Sequence, residues 1–331
     1  MKIIDAHTHF SNVQAFFGAA DDSGVDYSYE GLIKEQAECN IVASVCMGLE
    51  EATPWGFPDA AAPAFMCANP PMDTSRAGSC NSPQKTDNFT AESNMGINAN
   101  ISVNMNKKAK TGEISTPLHT DCPPTMHVCM GINPHRLCDE SIAAFRKVLK
   151  TGATESRIVG FKIFAGYYHV NINDPIYTPV YKLAAEHGLT VAIHTGDTYS
   201  EVGLLEYSHP LAADRLAVNF RDVNFMLCHM GDPWVMDACE VAYKNRNVYV
   251  DISGLQAGDE AHLAATEARP HVMHHYMTGL SYLNSYEKVL FGTDWPLVPL
   301  GRYIEFCKKL VPAAAYEDVF YNNAAKLFRL G

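Results

Sequence analysis

Two histidines, His7 and His9, stand two residues apart in the opening segment MKIIDAHTHF, directly after a short apolar run. Successive side chains of a β-strand point to opposite faces, so residues two apart share one face. Two imidazoles on one face of a strand could bind a divalent transition metal ion. A pair of buried histidines that holds no ion has the same pattern, so the pair alone does not decide the chemistry.

Further polar side chains stand at the ends of other apolar runs. His194 lies in VAIHTG, His229 in MLCHMG and Asp294 in LFGTDWP, while Lys162 lies in GFKIFAG. Burying imidazoles and charges is costly unless they are paired or bound to a metal ion. Four histidines and one carboxylate that met at one place would suit zinc, and would also suit manganese, iron or nickel.

The elements that carry these residues alternate regularly along the chain. Eight strand-like runs are separated by stretches with helical spacing. Their near-continuous Val, Ile, Leu and Phe content indicates strands buried on both faces, as in a parallel sheet. Eight β/α units predict the α/β class and a (β/α)8 TIM barrel, whose active site lies at the carboxyl ends of the strands. The predicted strands are KIIDAHTHF, IVASVCMGL, TMHVCMGINP, RIVGFKIFAG, LTVAIHTG, VNFMLCHMG, NVYVDISG and KVLFGTDWP.

One stretch interrupts this alternation. Residues 69–125 are rich in Asn, Ser, Thr, Pro and Gly, lack periodicity and fall between the second and third predicted strands. We interpret them as an insertion into a single barrel domain that spans residues 1–331. Such a segment is either a disordered loop or a lid. Because it follows a strand, it is expected to emerge at the catalytic face of the barrel.

The composition of the chain argues against nucleic acid and membranes as binding partners. The formal net charge is −12 over 331 residues, whereas proteins that bind nucleic acid present a basic face. No apolar run approaches the ~20 residues that cross a bilayer, and MKIIDAHTHF lacks the regions of a signal peptide. We therefore expect a cytoplasmic protein that acts on a small-molecule substrate and binds neither nucleic acid nor membrane. The ten cysteines include no Cys-x-x-Cys pair and are expected to be reduced; if the chain is a homo-oligomer, a dimer is the commonest form.

Several segments together resemble the amidohydrolase superfamily. They are IDAHTHF, GFKIF, VAIHTG, HPLAADRLAVNF, NFMLCHMGDPW, NRNVYVDISG, LFGTDWP and NNAAKLF, and they are spread over nearly the whole chain apart from residues 69–125. Within the superfamily, the chain is most similar to the metal-dependent hydrolase subgroup that also contains aminocarboxymuconate-semialdehyde decarboxylase-like and γ-resorcylate decarboxylase-like enzymes.

The resemblance implies a role for most of the polar residues. His7, His9, His194 and Asp294 would be metal ligands, and His229 would be a ligand of a second metal ion or a catalytic imidazole beside a single ion. A barrel that had lost its chemistry and served as a scaffold would be expected to lack at least one of these residues, and all are present.

The role of Lys162 stays open. In two-metal members of the superfamily, a lysine on the fourth strand is carbamylated and bridges the ions, and FKIF resembles that segment of cyclic amidases such as dihydropyrimidinase. Otherwise, a lysine here could hold a substrate carboxylate or pair with Asp294. One or two ions per chain are therefore expected, with Zn²⁺ ahead of Mn²⁺, Fe²⁺ and Ni²⁺.

Two reactions fit this set of residues. In the favoured one, metal-activated water hydrolyses an amide, lactone or ester of a small carboxylated or cyclic substrate. Asp294 would accept the proton of that water and pass it to the leaving group, and His229 would polarise the carbonyl. In the alternative, the protein is a lyase, a non-oxidative decarboxylase or hydratase of an unsaturated or aromatic acid. Arg136 and Tyr167, which follow predicted strands, and Trp295, which flanks Asp294, are candidates for substrate contacts.

Overall fold

Eight parallel strands form a single sheet in the order β1 to β8 in the computed structural model, which describes residues 1–11, 13–49, 124–150 and 158–330. Each strand pairs with the next one along the chain, and helices lie between most of them. The prediction of an α/β protein with a TIM-barrel fold is confirmed. The strands are β1 (Ile3–Thr8), β2 (Ile41–Met47), β3 (Thr125–Ile132), β4 (Ile158–Ile163), β5 (Thr190–Ile193), β6 (Asn224–Leu227), β7 (Val248–Asp251) and β8 (Val289–Leu290).

Local sequence signals define several of the helices that follow these strands. Ser28 caps the second helix by accepting a hydrogen bond from Gly31 N at 2.9 Å. Gly188 ends the fourth with a left-handed φ of 62°. The described α-helices are α1 (Gln14–Ser23), α2 (Tyr29–Glu38), α3 (Asp139–Lys150), α4 (Thr178–His187), α5 (Leu205–Ser208), α6 (Ala212–Asn219), α7 (Val235–Lys244), α8 (Glu260–Glu267), α9 (Pro270–Leu283), α10 (Leu300–Leu310) and α11 (Asn323–Phe328).

Backbone hydrogen bonds between β1 and the segment that follows β8 close the sheet into a barrel. Ala6 N donates to Phe291 O at 2.9 Å, and Asp294 N donates to His7 O at 2.8 Å. The eighth strand was predicted over KVLFGTDWP but is regular only over two residues. Asp294, four residues beyond the end of β8, adopts a left-handed φ of 64°, so the predicted strand could not have continued through it.

Buried apolar side chains form two separate clusters, one on each face of the sheet. The larger cluster lies between the strands and the outer helices. The smaller one fills the lumen and combines inward-facing strand residues with side chains of α11. Thr190 Oγ1, at the start of β5, donates to Leu327 O at 3.2 Å, so α11 closes the amino-terminal end of the barrel. The smaller cluster consists of Ile4, Ala6, Ala43, Val45, Met47, Cys129, Ala192, Met226, Cys228, Leu290, Ala324, Leu327 and Phe328.

The predicted insertion, residues 69–125, lies outside the described residues except for its last two, and Thr125 is the first residue of β3. None of the helices in the described ranges combines the length and apolar composition needed to span a bilayer.

Most of the described cysteines are free thiols, as expected from the sequence. Cys138 is disulfide-bonded, so the expectation of reduced thiols is wrong for this residue. The free cysteines within the described ranges are Cys39, Cys46, Cys129, Cys228, Cys239 and Cys307.

Candidate metal-binding active site

The carboxyl end of β1 and the segment after β8 bring three of the predicted ligands together. The Nε2 atoms of His7 and His9 are 3.3 Å apart. Both face Asp294 Oδ1, which lies 3.3 Å from His7 Nε2 and 3.0 Å from His9 Nε2. All three residues are buried. The histidine pair and a carboxylate from the far end of the chain therefore point at one spot.

His194 and His229 extend this cluster at the ends of β5 and β6. The ring centroid of His229 lies 4.9 Å from those of His7 and His194. His229 Nδ1 is 4.0 Å from Asp294 Oδ2. His194 follows its strand directly, and its backbone N donates to Ile163 O at 2.9 Å. The carboxyl end of the barrel thus gathers all four histidines and the aspartate that the sequence singled out.

The backbone turns sharply where two of these residues leave their strands. His229 and Asp294 have left-handed φ values of 61° and 64°, a conformation that is uncommon outside glycine and concentrates at functional sites. Gly254 approaches both of them with a φ of 59°. A β-carbon at Gly254 would lie 2.7 Å from Asp294 Oδ2 and 2.7 Å from His229 Nδ1, so only glycine fits at this position.

In three of the imidazoles, one ring nitrogen forms a hydrogen bond with an acceptor outside the cluster. The contacts are His7 Nδ1 to Asp251 Oδ2 at 2.9 Å, His194 Nε2 to Asp197 O at 2.8 Å, and His229 Nδ1 to Ser253 O at 3.1 Å. Carbonyl and carboxylate oxygens only accept hydrogen bonds, so these nitrogens carry the hydrogen. The opposite nitrogen of each neutral ring keeps its lone pair, as a metal ligand must.

The electrostatics of the cluster also suit a cation. Burial, reinforced by the nearby Lys162, lowers the pKa of His7 to about 3. Burial likewise lowers the pKa of His194. Burial alone would raise the pKa of Asp294, but the imidazoles of His229 and His7 outweigh it and hold that pKa well below its usual range. Neutral imidazoles around an ionised carboxylate are the states in which these groups bind a divalent ion.

A buried carboxylate oxygen at the centre of the cluster lacks a hydrogen-bond partner among the described residues. Within the described ranges, Asp294 Oδ1 is buried and accepts no hydrogen bond, an arrangement that is costly unless another group satisfies it. One nitrogen each of His7 and His229 and an oxygen of Asp294 lie within 4.8 Å of one another. The residues present therefore fit a divalent metal ion, and this cluster is the candidate metal site.

Asp251, at the end of β7, is a site residue that the sequence analysis missed. Besides its contact with His7, its Oδ1 accepts hydrogen bonds from His229 N at 2.9 Å and Ser253 N at 3.0 Å. The carboxylate thus orients one candidate ligand through its ring and another through its backbone. It carries the same signal that selected Asp294, a carboxylate at the end of an apolar run, here NVYVD.

Lys162 of β4 points into the same space and is fully buried. Its Nζ lies 3.0 Å from Cys228 Sγ and 5.2 Å from the centroid of the Phe164 ring. The anticipated ion pair between Lys162 and Asp294 is not formed, because no described carboxylate oxygen lies within 4.0 Å of the ammonium.

A cavity with largely apolar and aromatic walls opens onto this cluster. Of the three residues predicted to contact substrate, Tyr167 lines the cavity, and its ring centroid lies 4.9 Å from that of His194. The lining residues are His9, Ala15, Phe16, Ala19, Leu49, Lys162, Phe164, Tyr167, Tyr168, His194, Tyr199, His229, Asp294 and Leu297.

The structure does not bring the other two predicted substrate contacts, Arg136 and Trp295, to the cavity wall. Arg136 is exposed in the turn Pro134–Arg136 after β3. Trp295 is fully buried, with its ring 6.0 Å from that of Phe10 and 5.2 Å from that of Tyr27. Its indole therefore packs against these aromatic rings instead of lining the cavity.

Comparisons with known proteins agree with this fold. Residues 132–330 match the sequence model of the family described as Amidohydrolase. No curated protein matches the sequence. An uncharacterised TIM-barrel protein from Bordetella bronchiseptica has a similar structure, with 18% identity, a TM-score of 0.61 and 99% of each chain covered.

Two further solved structures share the fold. A probable 2-pyrone-4,6-dicarboxylic acid hydrolase from Acinetobacter baumannii, solved with citric acid bound, is 13% identical, with a TM-score of 0.58 and 100% of each chain covered. The 5-carboxyvanillate decarboxylase of Sphingomonas paucimobilis is 14% identical, with a TM-score of 0.52, covering 100% of this chain and 99% of the other. At these identities the likeness concerns the fold alone.

Proposed function

Because this chain belongs to the amidohydrolase family, we propose that it is a metal-dependent hydrolase that cleaves an amide, lactone or ester bond of a small cyclic substrate. His7, His9, His194 and Asp294 would hold one divalent ion, with Zn²⁺ ahead of Mn²⁺, Fe²⁺ and Ni²⁺ for a set of imidazoles and a carboxylate. When bound, such an ion polarises a carbonyl and makes water a nucleophile at neutral pH.

The observation that carries this proposal is the position of Asp294. One of its oxygens faces the histidine pair, the other faces His229, and the side chain lines the cavity. As a metal ligand this carboxylate would be ionised, and an ionised carboxylate can take up a proton. Asp294 is therefore suited to accept the proton of an attacking water and then to protonate the leaving group.

The tautomer of His229 refines its expected role. Its Nδ1 hydrogen is directed at Ser253 O, so in the neutral ring the other nitrogen carries no hydrogen. In this form His229 accepts a proton or binds a metal ion, and it cannot donate a hydrogen bond to a substrate carbonyl. We therefore assign it to the ligand set or to proton uptake rather than to polarising the carbonyl.

The cavity walls favour a small, flat substrate. Phe16, Phe164 and Tyr167 present aromatic surface that excludes water and packs against a ring. Tyr167 Oη accepts a hydrogen bond from Tyr199 N at 2.8 Å. The hydroxyl hydrogen of Tyr167 is directed at no described acceptor and can be donated to a substrate oxygen.

Non-oxidative decarboxylation of an aromatic acid is the second candidate. It is favoured by the aromatic walls of the cavity and by the similar fold of the 5-carboxyvanillate decarboxylase. In that reaction Asp294 would have to deliver a proton to carbon, so it would have to begin the cycle protonated. As a metal ligand Asp294 would instead begin the cycle ionised, and we therefore rank hydrolysis first.

The two candidates are separated by assaying the zinc- and manganese-loaded protein in parallel. One panel contains lactones, esters and amides of cyclic acids, assayed for acid release, and the other contains hydroxybenzoic acids, assayed for carbon dioxide release. We expect metal-dependent acid release that Asp294→Asn abolishes at equal metal content. Carbon dioxide release without hydrolysis would overturn the proposal in favour of the second candidate.

A further inference from the structure

We propose that Lys162 forms an anion-binding subsite on the cavity wall that takes a carboxylate group of the substrate. The inference deepens the proposed function by naming a substrate class, and it rests on that function only for the statement that a substrate enters this cavity. Binding of the carboxylate can be tested without turnover.

The fold places Lys162 where a long side chain has room inside the barrel. Its neighbours in the sheet are Gly131 on β3 and Ala192 on β5, both small residues. The side chain is fully buried, yet it lines the cavity together with His194 and Asp294. A ligand that contacts those two residues is therefore also within reach of the lysine.

The described partners of the Lys162 ammonium group do not neutralise its charge. Cys228 Sγ, at 3.0 Å, is a thiol and only a weak acceptor. The Phe164 ring, at 5.2 Å, offers a modest cation–π attraction. An ammonium group has three donors, and a buried charge without an opposite charge is costly. A carboxylate oxygen would supply both the missing acceptor and the missing charge.

The position of the lysine relative to the proposed metal ligands defines the substrate class. Lys162 lines the same cavity as His194 and Asp294, so a substrate whose scissile bond lies at those two residues can place a carboxylate on the lysine. A neutral substrate would leave the buried ammonium group without an opposite charge. The substrate class that follows is a cyclic carboxylic acid whose scissile bond lies near its carboxylate.

The test compares Lys162→Met, which keeps the length of the side chain and removes its charge, with the matched control Lys182→Met on the exposed face of α4. The probes are benzoate and its neutral analogue benzamide, titrated by calorimetry into zinc-loaded full-length protein of measured metal content. Lys162→Gln serves as a second variant if Lys162→Met does not fold.

We expect Lys162→Met to weaken benzoate binding by about 10- to 100-fold, the range for a hydrogen bond to a charged group. Benzamide binding should not change, and Lys182→Met should bind both probes like the wild type. Benzoate should also raise the melting temperature of the wild type and not that of Lys162→Met. Equal benzoate affinity in wild type and Lys162→Met at equal metal content would overturn the proposal.

A carbamate on Lys162 would also overturn it, because that group is itself an anion and would repel a substrate carboxylate. Carbon-13 NMR of the metal-loaded protein in labelled bicarbonate distinguishes the two states. We expect no carbamate resonance that depends on Lys162.

The outcomes also separate the subsite from the proposed function. If Lys162→Met loses benzoate binding but the wild type hydrolyses no substrate, the proposed function is refuted and the anion subsite stands. Hydrolysis of neutral and carboxylated esters at equal rates would refute only the subsite.

Discussion

The two ends of the barrel lumen are built by the same strands from opposite kinds of side chain. At the amino end, Ile4 and Met226 belong to one apolar cluster with Leu327 and Phe328 of α11. At the carboxyl end, a few residues further along these strands, imidazoles and carboxylates are buried instead. The chain thus concentrates the stabilising contacts of the lumen at one end and the costly buried polar groups at the other.

This contrast explains why the polar end depends on its partners. An apolar layer is stable by burial alone, whereas each buried imidazole or carboxylate needs an acceptor, a donor or a cation. Asp251 provides acceptors for two of these residues, because it accepts hydrogen bonds from the ring of His7 and from the backbone N of His229. Substitutions at the carboxyl end should therefore change metal binding and turnover, and substitutions at the amino end should change stability.

The largest effect on catalysis is expected for Asp294→Asn. Without an ionised carboxylate there is no proton acceptor beside the histidine pair, and turnover per bound metal ion should fall by about 10²- to 10⁴-fold. Steady-state kinetics combined with metal analysis measures this value. Asp222→Asn, the same change at an exposed position, should leave turnover unchanged. Wild-type turnover in Asp294→Asn would remove Asp294 from the mechanism.

Asp251→Asn should weaken metal binding by about 10- to 100-fold, the usual effect of losing a carboxylate that orients a ligating histidine. Competition with a chromophoric chelator measures the affinity. Asp5 is the matched control, because it is equally buried but accepts its hydrogen bonds from the backbone of His7 and from Thr293. Asp5→Asn should lower the free energy of unfolding without a comparable loss of metal affinity. Similar metal affinities in Asp251→Asn and the wild type would contradict the assigned role.

Gly254→Ala should lower turnover by about tenfold, since its β-carbon would displace Asp294 and His229 from their positions. Gly24 is also left-handed, with a φ of 70°, but a β-carbon there meets no atom within 4 Å. Gly24→Ala should therefore cost only about 1 kcal/mol of stability from backbone strain, with normal turnover. Equal kinetic behaviour of the two variants would show that space at Gly254 is not limiting.

Leu327→Ala should have the smallest effect on catalysis. Removing its buried side chain from the amino-terminal cluster should lower the free energy of unfolding by about 2–4 kcal/mol, as measured by urea denaturation. Metal affinity and turnover of the folded fraction should stay at wild-type values. A loss of metal binding in this variant would contradict the separation of the two ends.

The barrel and most of the candidate site could be predicted from the sequence for one physical reason. Strands buried on both faces read as continuous apolar runs, and an imidazole or carboxylate at the end of such a run stands out. The same signal is present in NVYVD. The role of Asp251, however, depends on a hydrogen bond that it accepts from His7, which is 244 residues away in the chain. Only the folded barrel reveals that contact.

The direction of side chains outside regular strands could not be predicted from the sequence either. Trp295 was expected at the substrate because it adjoins Asp294, but its indole is fully buried against Phe10 and Tyr27. Arg136 lies beyond the end of β3 in a turn, where the strand periodicity no longer applies. His229 and Asp294 lie beyond the ends of β6 and β8 and have left-handed φ values, which their residue types do not indicate.

The most direct test of the account is the metal content of the purified protein. Elemental analysis for zinc, manganese, iron and nickel should find one divalent ion per chain in the wild type and none in the double variant His7→Ala/His9→Ala. An equal metal content in the double variant, or full turnover by metal-free wild type, would contradict the claim that these residues meet to hold a catalytic ion.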